Sequence, residues 1–180
     1  MSIVNKIPNY MFIYNTIAHL TFAIVNNTLL YGLNYHIFLI VGHLFIALTQ
    51  FLLYMSSIGF QLLSATLTGC IGHTFLFIYA SYTIYKYGKH TSSILFLIGQ
   101  IGMIYFYLHH NGDNIHEHPI FVTTFLTLIA FYLYEYVIST SYIKYPTLMV
   151  AFVYIIFAYH YAKFKLNDPK NRQFLQGDAV

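Results

Sequence analysis

The stretch HHNGDNIHEHP, residues 109–119, is the one long polar segment in a chain that is otherwise mostly apolar. It holds four of the ten histidines and two of the five acidic residues. On either side lie apolar runs of the length that crosses a bilayer, about 20 residues each. The stretch therefore predicts a short polar connection between two apolar helices, and the same pattern recurs along the chain.

The composition indicates that most of the surface does not face water. Of the 180 residues, 58% are hydrophobic and 7% are charged, whereas soluble domains carry about 25% charged residues. Lipid is the solvent that such a surface fits. The net charge of +3 comes without a basic stripe, which argues against nucleic acid as a partner. The single cysteine, Cys70, is incompatible with a disulfide framework.

We therefore predict an all-α fold: a polytopic integral membrane helical bundle with about six transmembrane helices and short loops. It forms a single domain over residues 1–180. Glycine, proline, serine and lysine residues mark the breaks between the apolar runs. The stretch 165–180 is a short charged tail. The predicted spans are residues 10–31, 35–55, 58–85, 92–108, 119–142 and 147–164.

Three histidines, His19, His43 and His73, fall inside the first three predicted spans. Ionisable residues in lipid are costly and often functional. Counted from one side at 1.5 Å per residue, they lie about 14, about 18 and about 22 Å deep, so neighbouring pairs are close in depth. Two histidines facing each other across a bundle are suited to hold a b-type haem. The alternatives are that each imidazole stays neutral and bonds a carbonyl group or a threonine of a neighbouring helix, or that it has a proton or quinone role.

A second group of imidazole and carboxylate side chains lies in the polar stretch and near the end of the last span: His109, His110, Asp113, His116, His118 and His160. Such side chains are ligands for zinc, copper or iron. Their spacing matches neither a His-Glu-x-x-His motif nor a two-histidine motif repeated on partner helices. A solvated loop, or a docking surface for a partner subunit, is the alternative to a metal site.

Glu135 is the one acid within a predicted span. A lone carboxyl group in lipid predicts a structural pairing, with Lys144, with a tyrosine or histidine of another helix, or with a partner protein. A proton relay would require more than one such group. Glu135 is therefore the intramembrane acid of the candidate site.

The segment TGCIGH, residues 68–73, resembles a glycine–histidine stretch in subunit III of cytochrome oxidases. The resemblance covers these residues alone, and the chain has no tryptophan where that family's pattern is rich in it, so membership is not inferred. The 19 tyrosines and 17 phenylalanines indicate A/T-rich coding, of which an organelle genome is one source. The coding bias and the intramembrane histidines favour a respiratory setting.

The sequence lacks a nucleophile elbow, a phosphate-binding glycine loop and paired catalytic carboxylates, so no enzyme class is predicted. The first hypothesis is a multi-pass subunit of a respiratory or electron-transport complex with a structural or assembly role. Its partners would be lipid and other membrane subunits, and its location the mitochondrial inner membrane or else a bacterial or archaeal plasma membrane. The alternatives are an electron carrier with b-type haem and a metal-dependent membrane enzyme built on residues 109–118.

Overall fold

A computed structural model describes residues 8–29, 36–57, 65–88, 90–109, 119–138 and 144–167. Within these ranges the secondary structure consists of six α-helices and contains no strand. The predicted all-α fold and the predicted number of helices are therefore confirmed for the described residues. The helices are α1 (Asn9–Leu29), α2 (His36–Ser57), α3 (Ala65–Tyr87), α4 (Thr91–His109), α5 (Pro119–Ile138) and α6 (Lys144–Asn167).

The six helices form a closed ring of antiparallel neighbours. Each helix packs against the next one in the chain, and α6 also packs against α1. The contacts between α2 and α3 show the antiparallel direction, because the Thr49 and Thr68 hydroxyls meet near one end and the rings of His36 and Tyr79 meet near the other. Side chains line the interior of the ring, and the Tyr132 ring of α5 contacts Phe22 of α1 and His43 of α2.

Local chemistry explains several of the helix ends. The Pro8 carbonyl accepts a hydrogen bond from the Met11 amide in the first turn of α1. Gly88 ends α3 with φ +92°, a conformation that glycine adopts without a side-chain clash, and its amide donates to the Ile84 carbonyl. Helix α6 begins at Lys144, before the predicted start at residue 147, because Pro146 is tolerated in a first turn, where amides lack intrahelical partners.

Among the described helices, two stretches are long and apolar enough to cross a membrane: His36–Ser56 in α2 and Thr91–Leu108 in α4. Val122–Ile138 in α5 is a shorter apolar helix. In these two stretches 39% and 33% of the residues are buried, and large apolar side chains such as Leu48 and Ile98 are exposed on the outer faces. Helices α1, α3 and α6 carry more polar residues and tyrosines, which lowers their mean hydropathy.

Two glycines allow α2 and α3 to approach each other closely. A Cβ atom on Gly72 would lie 3.0 Å from the Gly42 carbonyl oxygen and 3.1 Å from the Ile46 amide nitrogen. Both atoms belong to the backbone of α2 and cannot rotate away. The crossing of these two helices therefore requires a residue without a bulky side chain at position 72.

A Gly72→Leu substitution is expected to lower the free energy of unfolding by about 1–3 kcal/mol, because the added side chain must push the backbones of α2 and α3 apart. Thr74→Leu is the matched control, since residue 74 lies on the exposed face of the same helix. The control should change stability by no more than about 0.5 kcal/mol. Chemical denaturation measures both variants, and equal stability of Gly72→Leu and the wild type would contradict the close crossing.

Candidate functional site

His19 and His43 form a direct hydrogen bond at the centre of the ring. Their Nδ1 atoms lie 2.7 Å apart, and the two rings stack with centroids 5.0 Å apart. Both side chains are buried, at 1% and 0% exposure. One Nδ1 must carry a proton and donate it while the other accepts, so the pair is most simply two neutral imidazoles joined by one shared hydrogen bond.

The position of the pair follows from the periodicity of α1 and α2. On α1 the residues Asn15, His19, Phe22 and Asn26 are all buried, with the three- and four-residue spacing of one helix face. Helix α2 runs antiparallel to it and places His43 on its own buried face. The two histidines meet because these faces turn toward the same interior.

The prediction of b-type haem meets a geometric obstacle at this pair. Bonds between a metal and imidazole nitrogens of about 2.0–2.1 Å, as known for zinc, hold two opposed nitrogens about 4 Å apart. The Nδ1 atoms of His19 and His43 lie 2.7 Å apart, which leaves no space for an iron between them. The observed contact is an interhelical hydrogen bond, although the partner is another imidazole and not the carbonyl group or threonine that was predicted. Haem ligation by His19, His43 or His73 through their other ring nitrogens stays a prediction.

His73 of α3 has a different partner. Its Nδ1–H donates to Oε1 of Gln100 on α4 across 2.7 Å, and both side chains are buried. The ring of Tyr107, also on α4, stacks on the His73 ring with centroids 5.6 Å apart. His73 is close enough to His19 and His43 to interact with them electrostatically. All three predicted histidines therefore belong to one buried cluster, linked to α4 through Gln100.

Aromatic side chains enclose the cluster. The centroids of the Phe22 and His43 rings lie 4.2 Å apart. The Tyr132 ring of α5 approaches the His43 ring edge-on, with 6.5 Å between centroids. Tyr154 of α6 approaches His19 edge-on at 6.4 Å and stacks on Tyr132 at 5.6 Å. Every helix of the ring thus contributes at least one polar or aromatic side chain to the same interior site.

The second predicted group, the metal ligands, falls mostly outside the described residues. Residues 110–118, which include His110, Asp113, His116 and His118, lie there, and His109 is the last residue of α4. His160 lies on α6 with its ring 5.5 Å from that of Tyr159. The described residues contain no group of three or more side chains that could together bind a metal ion. A metal site that uses the polar stretch stays a prediction.

Glu135 is partly buried on α5, and its carboxyl group lies within hydrogen-bonding reach of Ser92 on α4. It also interacts electrostatically with Tyr79 and Tyr132. The Lys144 ammonium group lies over the Tyr136 ring, 4.8 Å from its centroid. The partner of the Glu135 carboxyl group is therefore the Ser92 hydroxyl on the neighbouring helix α4. Glu135 also lies near enough to the buried Tyr132 to interact with it electrostatically.

The structure adds Gln100, Tyr107, Tyr132 and Tyr154 to the site, none of which the sequence analysis singled out. A tyrosine near a helix end suits a membrane interface, whereas Tyr132 and Tyr154 lie well inside their helices and are buried. A buried hydroxyl requires a hydrogen-bond partner. The position of Tyr132 and Tyr154 far from the helix ends is the feature of the sequence that could have indicated that they lie in the interior.

No protein-family model matches the chain, and no significant match is found among the curated proteins or the solved structures. Its function is therefore inferred from the geometry of the helical ring and its interior.

Proposed function

We propose that this chain is an integral membrane protein that acts as a multi-pass subunit of a larger membrane-embedded complex. The observation that carries the proposal is the distribution of polarity around the helical ring. Each helix exposes large apolar side chains, among them Ile24, Leu48, Leu67, Ile98, Leu126 and Phe152. Each helix also buries a residue with a polar side chain: His19, His43, His73, Gln100, Tyr132 and Thr147.

This arrangement suits lipid better than water. In water, exposed large apolar side chains on every side of a monomer would form the contiguous patches that soluble proteins avoid. In lipid, the same surface is solvated by acyl chains, and polar side chains gain from meeting one another in the interior. The length and apolar composition of the stretches in α2 and α4 support the same conclusion.

The extent of the helices and of their apolar outer surface supports the proposed role as a subunit. The six helices account for most of the 180 residues, and each exposes large apolar side chains. Such a protein presents its lateral apolar surface to neighbouring helices. A structural or assembly role in a respiratory complex of the mitochondrial inner membrane stays a prediction from composition and from the buried histidines. A bacterial or archaeal plasma membrane is the alternative location.

Washing isolated membranes with alkaline carbonate is expected to leave the protein in the membrane pellet, because its apolar surface has no favourable alternative in water. After mild detergent extraction, native electrophoresis should show it in a defined band well above the mass of one 20.9 kDa chain together with its detergent micelle. Release into the carbonate supernatant would contradict membrane integration. Migration as a single chain in its detergent micelle would contradict the subunit role and leave membrane integration standing.

A further inference from the structure

Three polar atoms at the centre of the ring have no hydrogen-bond partner within the described part of the chain. They are Nε2 of His43, Nε2 of Gln100 and the hydroxyl of Tyr132. The three side chains are buried, with relative exposures of 0%, 0% and 1%. Buried polar groups are nearly always hydrogen-bonded, because losing hydration without a replacement bond is costly.

The three side chains come from three helices and lie within about one helical turn of one another in depth. Counted at about 1.5 Å per residue from the helix ends on one side of the ring, His43 lies about 10 Å deep, Gln100 about 14 Å and Tyr132 about 9 Å. The Tyr132 ring approaches the His43 ring at 6.5 Å between centroids. Phe96 lies one turn before Gln100 on the buried face of α4, and its ring is 6.2 Å from that of Tyr132.

The chemistry of the three atoms defines what they can bind. Oε1 of Gln100 accepts the hydrogen bond from His73, so the two N–H groups on Nε2 are the donors of this side chain that lack a partner among the described residues. The Tyr132 hydroxyl both donates and accepts, and His43 Nε2 does one or the other according to the tautomer of its pair with His19. Donors therefore predominate, and an oxygen with free lone pairs is their natural partner. All three groups are neutral, so they supply no charge to offset the desolvation of an ion.

We propose that His43, Gln100 and Tyr132 form an internal binding site for a small neutral molecule that presents an acceptor oxygen. Two sources of such an oxygen fit the site. One is an ordered water molecule, which buried polar groups commonly retain. The other is the carbonyl group of a lipid-soluble organic molecule, whose apolar part would contact the surrounding aromatic rings. The site is independent of the proposed subunit role, since the occupant lies inside the ring and partner subunits would contact its outer surface.

The Tyr132→Phe variant tests the proposal through the sign of its effect on stability. If the hydroxyl bonds an occupant, its removal loses a hydrogen bond, and we expect the Tm of the purified full-length protein in detergent to fall by about 2–4 °C. If the hydroxyl has no partner, its removal relieves a desolvated polar group, and the Tm stays the same or rises. An unchanged or raised Tm would overturn the proposal. Tyr159→Phe is the matched control, because it removes a hydroxyl from an exposed tyrosine of α6 and should leave the Tm unchanged.

Two further measurements identify the occupant. Organic extraction of the purified protein followed by mass spectrometry is expected to recover a carbonyl compound from the wild type, and less from Tyr132→Phe, if the occupant is organic. If the extract contains none, a high-resolution experimental map is expected to show a water molecule within hydrogen-bonding distance of the Tyr132 hydroxyl and His43 Nε2. An empty extract together with no density at that position would overturn the proposal.

Discussion

Replacing Ile98 with lysine is expected to destabilise the protein in a bilayer by about 2.5–3.5 kcal/mol, the value that insertion scales assign to a charged residue near the centre of a membrane helix. Ile98 lies within the apolar stretch Thr91–Leu108 and is 51% exposed on the outer face of α4. If water covered that face, the same substitution would change stability by no more than about 0.5 kcal/mol. The free energy of unfolding in lipid bicelles, together with the fraction of protein inserted in cell membranes, measures the effect.

Leu108→Lys is the matched control for this prediction. Leu108 is on the same helix, is 63% exposed and is the last residue of the apolar stretch. A lysine there extends its ammonium group to the membrane surface while its methylene chain stays in the apolar region. We expect Leu108→Lys to insert and fold nearly as well as the wild type. Equal tolerance of lysine at both positions would show that lipid does not cover the outer face of α4.

The second large effect is expected for the buried histidine pair. His43→Leu removes one partner of the 2.7 Å hydrogen bond and leaves Nδ1 of His19 buried without a partner. An unsatisfied buried polar group costs about 1–3 kcal/mol, and His19→Leu should have a similar effect for the same reason. In the double variant neither polar group remains. We therefore expect it to be less destabilised than the sum of the two single variants by about 1 kcal/mol or more.

A double-mutant cycle measured by unfolding in detergent provides this comparison. The control cycle combines His19→Leu with His160→Leu, since His160 is partly exposed on α6 and contacts Tyr159. Those two substitutions should be additive within about 0.5 kcal/mol. Additive effects at His19 and His43 would contradict a direct hydrogen bond between them. A reduced-haem band in the absorption spectrum of the wild type, lost in both single variants, would restore the haem interpretation.

Much of the fold was predictable because the length of an apolar run and the polar residues that interrupt it are properties of each short segment of sequence. The helices at α2 and α4 follow from long apolar runs, and the end of α3 follows from Gly88. The start of α6 was less predictable, since Lys144 and Pro146 are compatible both with a break and with a first helical turn. The hydropathy of α1 is lower than that of α2 and α4, in part because Asn15, His19 and Asn26 are polar, although all three side chains are buried in the interior.

The candidate site was predictable only in part. His19, His43 and His73 were singled out because each is an ionisable residue in an apolar run, but their partners could not be derived from spacing. Whether His43 bonds a metal, a carbonyl group or another imidazole depends on the rotation of α1 and α2 about their axes, and packing sets that rotation. That Gln100 and Tyr132 belong to the site depends on the packing of α4 and α5 into the ring, which the sequence alone does not specify.

Composition and run length alone determined that this chain is built from apolar helices joined by short polar connections, because hydrophobicity is a property of each segment by itself. Only the tertiary structure shows that α6 packs against α1, that His19 bonds His43 and not His73, and that three buried polar atoms lack a hydrogen-bond partner among the described residues. The physical reason is that a hydrogen bond depends on distance and direction to within a few tenths of an ångström. No segment contains that information until all six helices have packed.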